Sequence, residues 1–141
     1  KLIPDGDLSP SIAVAFEESG VDVLAGIGGA PEGVLSAAAL HCVGGEMQAR
    51  LWPTKPVEIE RAKAMGIADV HRKLAMEDLV KGNDVIFSAT GVTDGELLDG
   101  VRYMGRVAKT HSLSMRGPTG TVRFVRATHC LDKKPDYMKC L

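Results

Sequence analysis

The chain predicts an α/β domain, and three stretches carry that prediction. The first is a short β-branched run, Val21-Asp22-Val23-Leu24-Ala25, followed by a glycine-rich loop and then an Ala/Leu-rich helix former. The second is a further apolar run, Asp84-Val85-Ile86-Phe87-Ser88-Ala89-Thr90, closed by the polar loop Gly91-Val92-Thr93-Asp94-Gly95. The third is a pair of strand-like segments, 107–115 and 121–125, joined by Gly117-Pro118-Thr119-Gly120. Strand, loop and helix alternate through the first two, and a β-hairpin closes the third.

Taken in order, Leu2-Ile3 reads as the end of a strand, and Asp5-Gly6-Asp7 follows it directly. Two carboxylates around a glycine can accept hydrogen bonds from sugar hydroxyls or hold a cation. They can equally form an Asp-Gly turn that feeds a helix cap. Residues 12–18 read as a helix that stops at Gly20. The next strand and turn, 21–33, hold the features with most chemical content. Glycines at 26, 28 and 29 leave backbone N–H groups uncovered, and Pro31 suits a first helical turn, where its missing N–H costs nothing. Glu32 then falls beside the positive end of the helix dipole. A strand, a glycine loop and a helix start form an anion-binding device, and the carboxylate adds a place for a cation. The competing reading is a plain glycine turn with Glu32 as a solvated dipole partner. Pro31 stands where a dinucleotide fingerprint needs glycine, and no Gly-Lys-Ser/Thr follows for a Walker loop, so a nucleotide-binding domain is disfavoured.

Gly44-Gly45 ends the helix of residues 34–43. Glu46 to Trp52 alternates polar and apolar residues and predicts a strand with one wet face. Pro53 and Pro56 bracket a loop, residues 58–65 predict a charged surface helix ending at Gly66, and 77–80 a short helical turn. His71, Arg72 and Lys73 form a solvated basic cluster, and residues 84–90 a strongly buried strand. In Thr110-His111-Ser112, neighbours on a strand face opposite sides, which argues against a Ser–His nucleophile pair. Arg116, at that strand's end, is either a bidentate phosphate ligand or a surface arginine.

With 141 residues, one domain with a real core is expected. A formal net charge of -1 gives no steering toward nucleic acid or a membrane surface. No apolar run approaches the ~20 residues of a membrane span, and no signal-peptide pattern opens the sequence. The start at Lys1, without Met, suggests a piece of something longer. Cys42, Cys130 and Cys140 lack CxxC spacing and read as reduced cytosolic thiols, not a disulfide framework or zinc site. His41 and Cys42 point in different directions on their helix and make no nucleophile pair.

Several of these motifs occur together in one order: Asp5-Gly6-Asp7, the run from Gly26 to Val34, Gly44-Gly45-Glu46-Met47-Gln48, Asp78-Leu79-Val80-Lys81-Gly82, residues 89–95 and Thr110-His111-Ser112-Leu113. Over about residues 1–126 this pattern resembles the C-terminal part of class II fructose-1,6-bisphosphatase, including the form that also accepts sedoheptulose 1,7-bisphosphate. The resemblance implies a fragment of the layered αβαβα fold of lithium-sensitive, metal-dependent sugar phosphatases. It implies that Glu32 is a ligand of a catalytic Mn²⁺ or Mg²⁺, and that Asp5, Gly6, Asp7 and Gly29 contact the sugar bisphosphate. It implies a homo-oligomeric parent in the cytoplasm, or in the plastid stroma of a photosynthetic eukaryote, serving gluconeogenesis or the Calvin cycle. The remaining metal carboxylates and the catalytic threonine belong to an N-terminal half absent here, so no catalytic residue is assigned to this chain and it is expected to be inactive alone. Ser114 and the tail at 127–141 depart from the family pattern, away from the expected site. The alternative is a non-catalytic sugar-phosphate-binding module.

Overall fold

The computed structural model describes residues 2, 3, 6 and 8–134. It is an α/β arrangement in which helices cover one part of a four-stranded, wholly antiparallel sheet. The helices are α1 (Leu8–Ala13), α2 (Ala30–Val43), α3 (Pro56–Ala64) and α4 (Met76–Leu79). The strands are β1 (Ile86–Thr90), β2 (Arg102–Met104), β3 (Val107–Arg116) and β4 (Thr121–Cys130). β3 is the organising strand: β1 and β2 pair with successive parts of one of its edges, and β4 with the full length of the other.

The hairpin forms where the sequence turns. Gly117–Thr119 is a single 3-10 turn, and Gly120 leaves it in the left-handed region with φ 57°, a conformation cheap only for glycine. Arg116 then faces Thr121, and the register runs unbroken to Val107 opposite Cys130. β4 therefore extends five residues beyond the expected end at Val125. Arg123, Arg126 and Thr128 interrupt its apolar alternation, but backbone pairing with β3 continues beneath them.

α2 begins at Gly29, which caps it in extended geometry, has Pro31 in its first turn, and ends at Gly44 with φ 76°. The N–H groups of Gly44 and Gly45 both donate to the Leu40 carbonyl, closing the end. Its inner side chains Ala39 and Cys42 join Ile12 of α1, Phe87 of β1 and Leu113 and Met115 of β3 in the main core. A second cluster joins Ala37 and Leu40 to Met76 of α4.

Several expectations are corrected. Residues 21–25 are not a strand; Val23 is 80% exposed and no ladder pairs this segment among the described residues. A strand exists only beside a partner, and β-branched composition supplies none. Leu2-Ile3 is irregular for the same reason. The helix expected at 12–18 starts earlier and breaks at Ala13, with a separate 3-10 turn at Glu17–Ser19 before Gly20. Residues 46–52 keep the expected wet and dry alternation but make a single bridge, Ala49 to Leu74. The run at 84–90 is half-covered, not strongly buried: Phe87 is inside while Ile86, Ser88 and Thr90 face out. Antiparallel sheets tolerate one open face, unlike the parallel sheet whose continuous apolar runs it resembled. The helices at 58–65 and 77–80 appear within two residues of expectation, and no helix among the described residues is long and apolar enough to cross a membrane.

Candidate functional site

The glycine loop reaches α2 fully open to solvent. Residues 22 to 32 are exposed, so the N–H groups preceding and opening the helix are accessible to a ligand. Pro31 gives the first turn one donor fewer. Glu32 lies in this turn, and its carboxylate folds back over Gly29: a Cβ at position 29 would collide with Glu32 Oε2. Gly29 is thus required for the side-chain position of Glu32 and not for an unusual φ, which is −68°. Of the three expected site residues that are described, Gly29 and Glu32 meet at one helix start. Gly6, with φ 82°, is the described member of the Asp5-Gly6-Asp7 trio; Asp5 and Asp7 lie outside the described residues.

A divalent Mg²⁺ or Mn²⁺ wants several hard oxygen ligands around it. Glu32 is the right type of donor, but among the described residues no group of three or more His, Cys, Asp or Glu could hold a metal ion. The donor set described is too small for a metal centre.

The second loop, 91–101, is tied tightly. The Asp94 carboxylate accepts from the Gly100 N–H at 2.9 Å and from Arg102 at 2.6 and 2.8 Å. The amide first, then the guanidinium, hold its pKa below the usual value. Gly100 has no room for a side chain, since a Cβ would stand 2.7–2.8 Å from the backbone of Thr93 and Asp94. The loop then passes Asp99, whose N–H donates to His111 Nδ1 at 3.1 Å. In the neutral ring this acceptor role leaves the proton on Nε2. Asp99 Oδ2 also meets Arg126 at 2.9 Å.

Register separates the remaining candidates. Thr110 bonds His129 Nε2 at 3.0 Å and Ser112 bonds Thr90 at 2.8 Å, while His111 faces Asp99. The three adjacent residues therefore serve three partners, as alternation requires, and form no nucleophile pair. Arg116 is half-exposed, 3.6 Å from Asp84 Oδ1. Cys42 is buried, its thiol 3.6 Å from the Val85 carbonyl, and burial pushes its pKa up; it is inert, and Cys130 is an exposed free thiol. His71, Arg72 and Lys73 are exposed as expected, with Arg72 paired to Asp78 at 2.7 Å.

Among the described residues, crevices indent the surface at two places of note. One, about 370 Å³, lies between His41 at the end of α2 and residues 76–83. The other, about 450 Å³, is lined by Asp99, Arg102, Lys109, His111, Arg126 and Thr128 among others. Neither reaches Gly29 or Glu32. The sequence hid the second because its residues come from three strands and a loop. Only the register places them on one face.

An open glycine loop ending at a helix start presents backbone N–H donors of the kind that bind anions. The chain belongs to the family described as bacterial fructose-1,6-bisphosphatase, glpX-encoded, whose model matches residues 1–129. It is 42% identical to fructose-1,6-bisphosphatase class 2 of Haemophilus influenzae, over 92% of this chain and 43% of that protein. It is also 42% identical to fructose-1,6-bisphosphatase 1 class 2 of Escherichia coli K12, over 97% of this chain and 44% of the relative. The chain thus spans less than half the length of these relatives.

Proposed function

We propose that this chain is the sugar-phosphate-binding portion, residues 1–126, of a metal-dependent phosphatase that hydrolyses the 1-phosphate of fructose 1,6-bisphosphate and, in the same pocket, of sedoheptulose 1,7-bisphosphate. The observation that carries the reading is the meeting of Gly29 and Glu32 at the open start of α2, in a chain of this family. Asp5 and Asp7 accept hydrogen bonds from sugar hydroxyls and fix the substrate's orientation, while Gly6 keeps the backbone between them close to it. The N–H groups near Gly29 receive a phosphate oxygen at the helix's positive end. Glu32 contributes one oxygen ligand to a Mn²⁺ or Mg²⁺ whose other ligands come from the rest of a longer parent. A bound divalent ion would neutralise charge on the phosphoryl group and activate the attacking water. The parent works as a homo-oligomer in the cytoplasm or plastid stroma, in gluconeogenesis or the Calvin cycle.

Two assays test this. The 141-residue chain alone, with Mg²⁺ or Mn²⁺, is expected to release no phosphate from fructose 1,6-bisphosphate; turnover would overturn the division of the site between two halves. In the full-length parent, Glu32→Gln keeps the side chain's shape and removes its charge. It is expected to melt normally yet lose activity by about 100-fold or more at fixed metal, with part of the loss returning at high Mn²⁺. A normally folded variant with wild-type kcat/KM would reduce Glu32 to a helix-dipole partner.

A further inference from the structure

The face of the sheet that carries the core is covered along only half its length. On β3, Met115 and Leu113 are buried in the cluster that includes residues of α1 and α2. The same face continues through His111 and Lys109, where the 450 Å³ crevice opens. Its chemistry follows from register. Lys109 is opposite Arg102 on one side and Thr128 on the other, and His111 is opposite Arg126. Three permanent cations therefore converge on one patch.

Folding alone does not favour this arrangement, because like charges directly across a ladder destabilise it. Two of the three cations are offset: Asp94 holds Arg102 and Asp99 holds Arg126. Lys109 has no carboxylate partner among the described residues. Asp99 holds both side chains at the crevice: its Oδ2 pairs with Arg126 at 2.9 Å and its backbone N–H donates to His111 Nδ1 at 3.1 Å. A guanidinium has five N–H donors, so Arg126 keeps donors for a ligand after pairing with Asp99.

We propose that this crevice is a phosphate-binding site, held by Lys109 and Arg126 with Arg102 and the Thr128 hydroxyl beside them. A tetrahedral dianion supplies the counter-charge Lys109 lacks and accepts several donors at once. The volume leaves room for a small organic group on the phosphate, so the ligand is free phosphate or a phosphate monoester. The site uses neither Gly29 nor Glu32 and stands independently of the hydrolase reading.

The test follows the imidazole NMR signals of the 141-residue chain during titration with inorganic phosphate, and separately with glycerol 3-phosphate, at constant ionic strength. His111 is expected to shift saturably while exposed His71 does not. Lys109→Gln should weaken binding about tenfold, the scale of one lost charge-assisted contact. Lys109→Arg should restore it, and Lys63→Gln, which removes an equal exposed charge outside the crevice lining, should leave it unchanged. Tighter binding of the ester assigns the monoester as ligand; equal binding assigns the free anion. Non-saturating shifts, equal shifts at His71, or unchanged affinity in a folded Lys109→Gln protein would overturn the site.

Discussion

Residues 21–35 and the sheet formed by β1 to β4 are both rich in apolar and β-branched residues, yet they end in opposite states. In the sheet, Leu113 is 0% and Met115 1% exposed, and the β3–β4 ladder pairs every residue across ten positions. In the earlier segment Val23 and Ile27 are about four-fifths exposed, and Val34 and Leu35 nearly half. α2 belongs to both regions. Its inner side packs on α1 and the sheet, and its outer side shows Val34 and Leu35 to solvent. A helix apolar all round is normally covered all round. The contrast teaches that burial here is decided by whether a partner surface is present, not by composition. The chain spans 43–44% of the length of these relatives.

The sharpest way to break this comparison is one substitution from each region. Leu113→Ala should cost about 2–5 kcal/mol in denaturant unfolding, the range for emptying a packed core site. Leu35→Ala in the same chain should stay within ~0.5 kcal/mol, as for an exposed position. If covering layers complete α2 in the full-length parent, Leu35→Ala becomes costly there, by more than ~1 kcal/mol. An equally silent change in both would mean that nothing covers this face.

The glycines sharpen it next. Gly100→Ala drives a Cβ into the backbone of Thr93 and Asp94, and backbone cannot step aside. A loss of about 1–3 kcal/mol is expected, measured by thermal melting, the scale of an overpacked site. Gly26→Ala meets nothing within 4 Å and should be within ~0.5 kcal/mol of wild type. Gly29→Ala falls between them: its Cβ meets only the flexible Glu32 carboxylate. It should fold, but in the parent it should lower kcat/KM by moving that carboxylate.

The smallest effect is one of pH, at a pair outside both regions. Arg72 first, then the Ala75 N–H, lowers the Asp78 pKa from 3.8 to about 2. The folded carboxyl has the lower pKa, so its contribution to stability is complete above the unfolded value and is lost as pH falls toward about 2. Asp78→Asn should remove a small acid-limb slope below pH ~4 in a melting series, and leave melting above that pH nearly parallel to wild type.

What could be read from the sequence was local. The Pro31 and Gly44 boundaries of α2, the short helix at α4 and the turn at residues 117–120 each carry their own stereochemical signal, and each appears as expected. The Gly29–Glu32 start was legible for the same reason. Whatever depended on a partner was not. Residues 21–25 have strand composition and no strand beside them. β2 has three exposed residues and no alternation, and exists because β3 offers it an edge. The basic crevice depends on register across three strands, which no spacing along the chain reveals.

The central place of β3 has a consequence for synthesis. A ribosome delivers α1 and α2 long before β3, the strand against which α2 must close. At ~5–20 residues per second, that interval is on the order of ten seconds. Throughout it Ile12, Ala39 and Cys42 lack the β1 and β3 side chains they pack against in the folded chain. Once residue 116 has emerged β1 can pair with β3, and the β3–β4 hairpin can then zip within ~1–10 μs because its ends are joined by a four-residue turn. The order of emergence thus makes closure of the inner side of α2 one of the last events in folding, since it waits on β3.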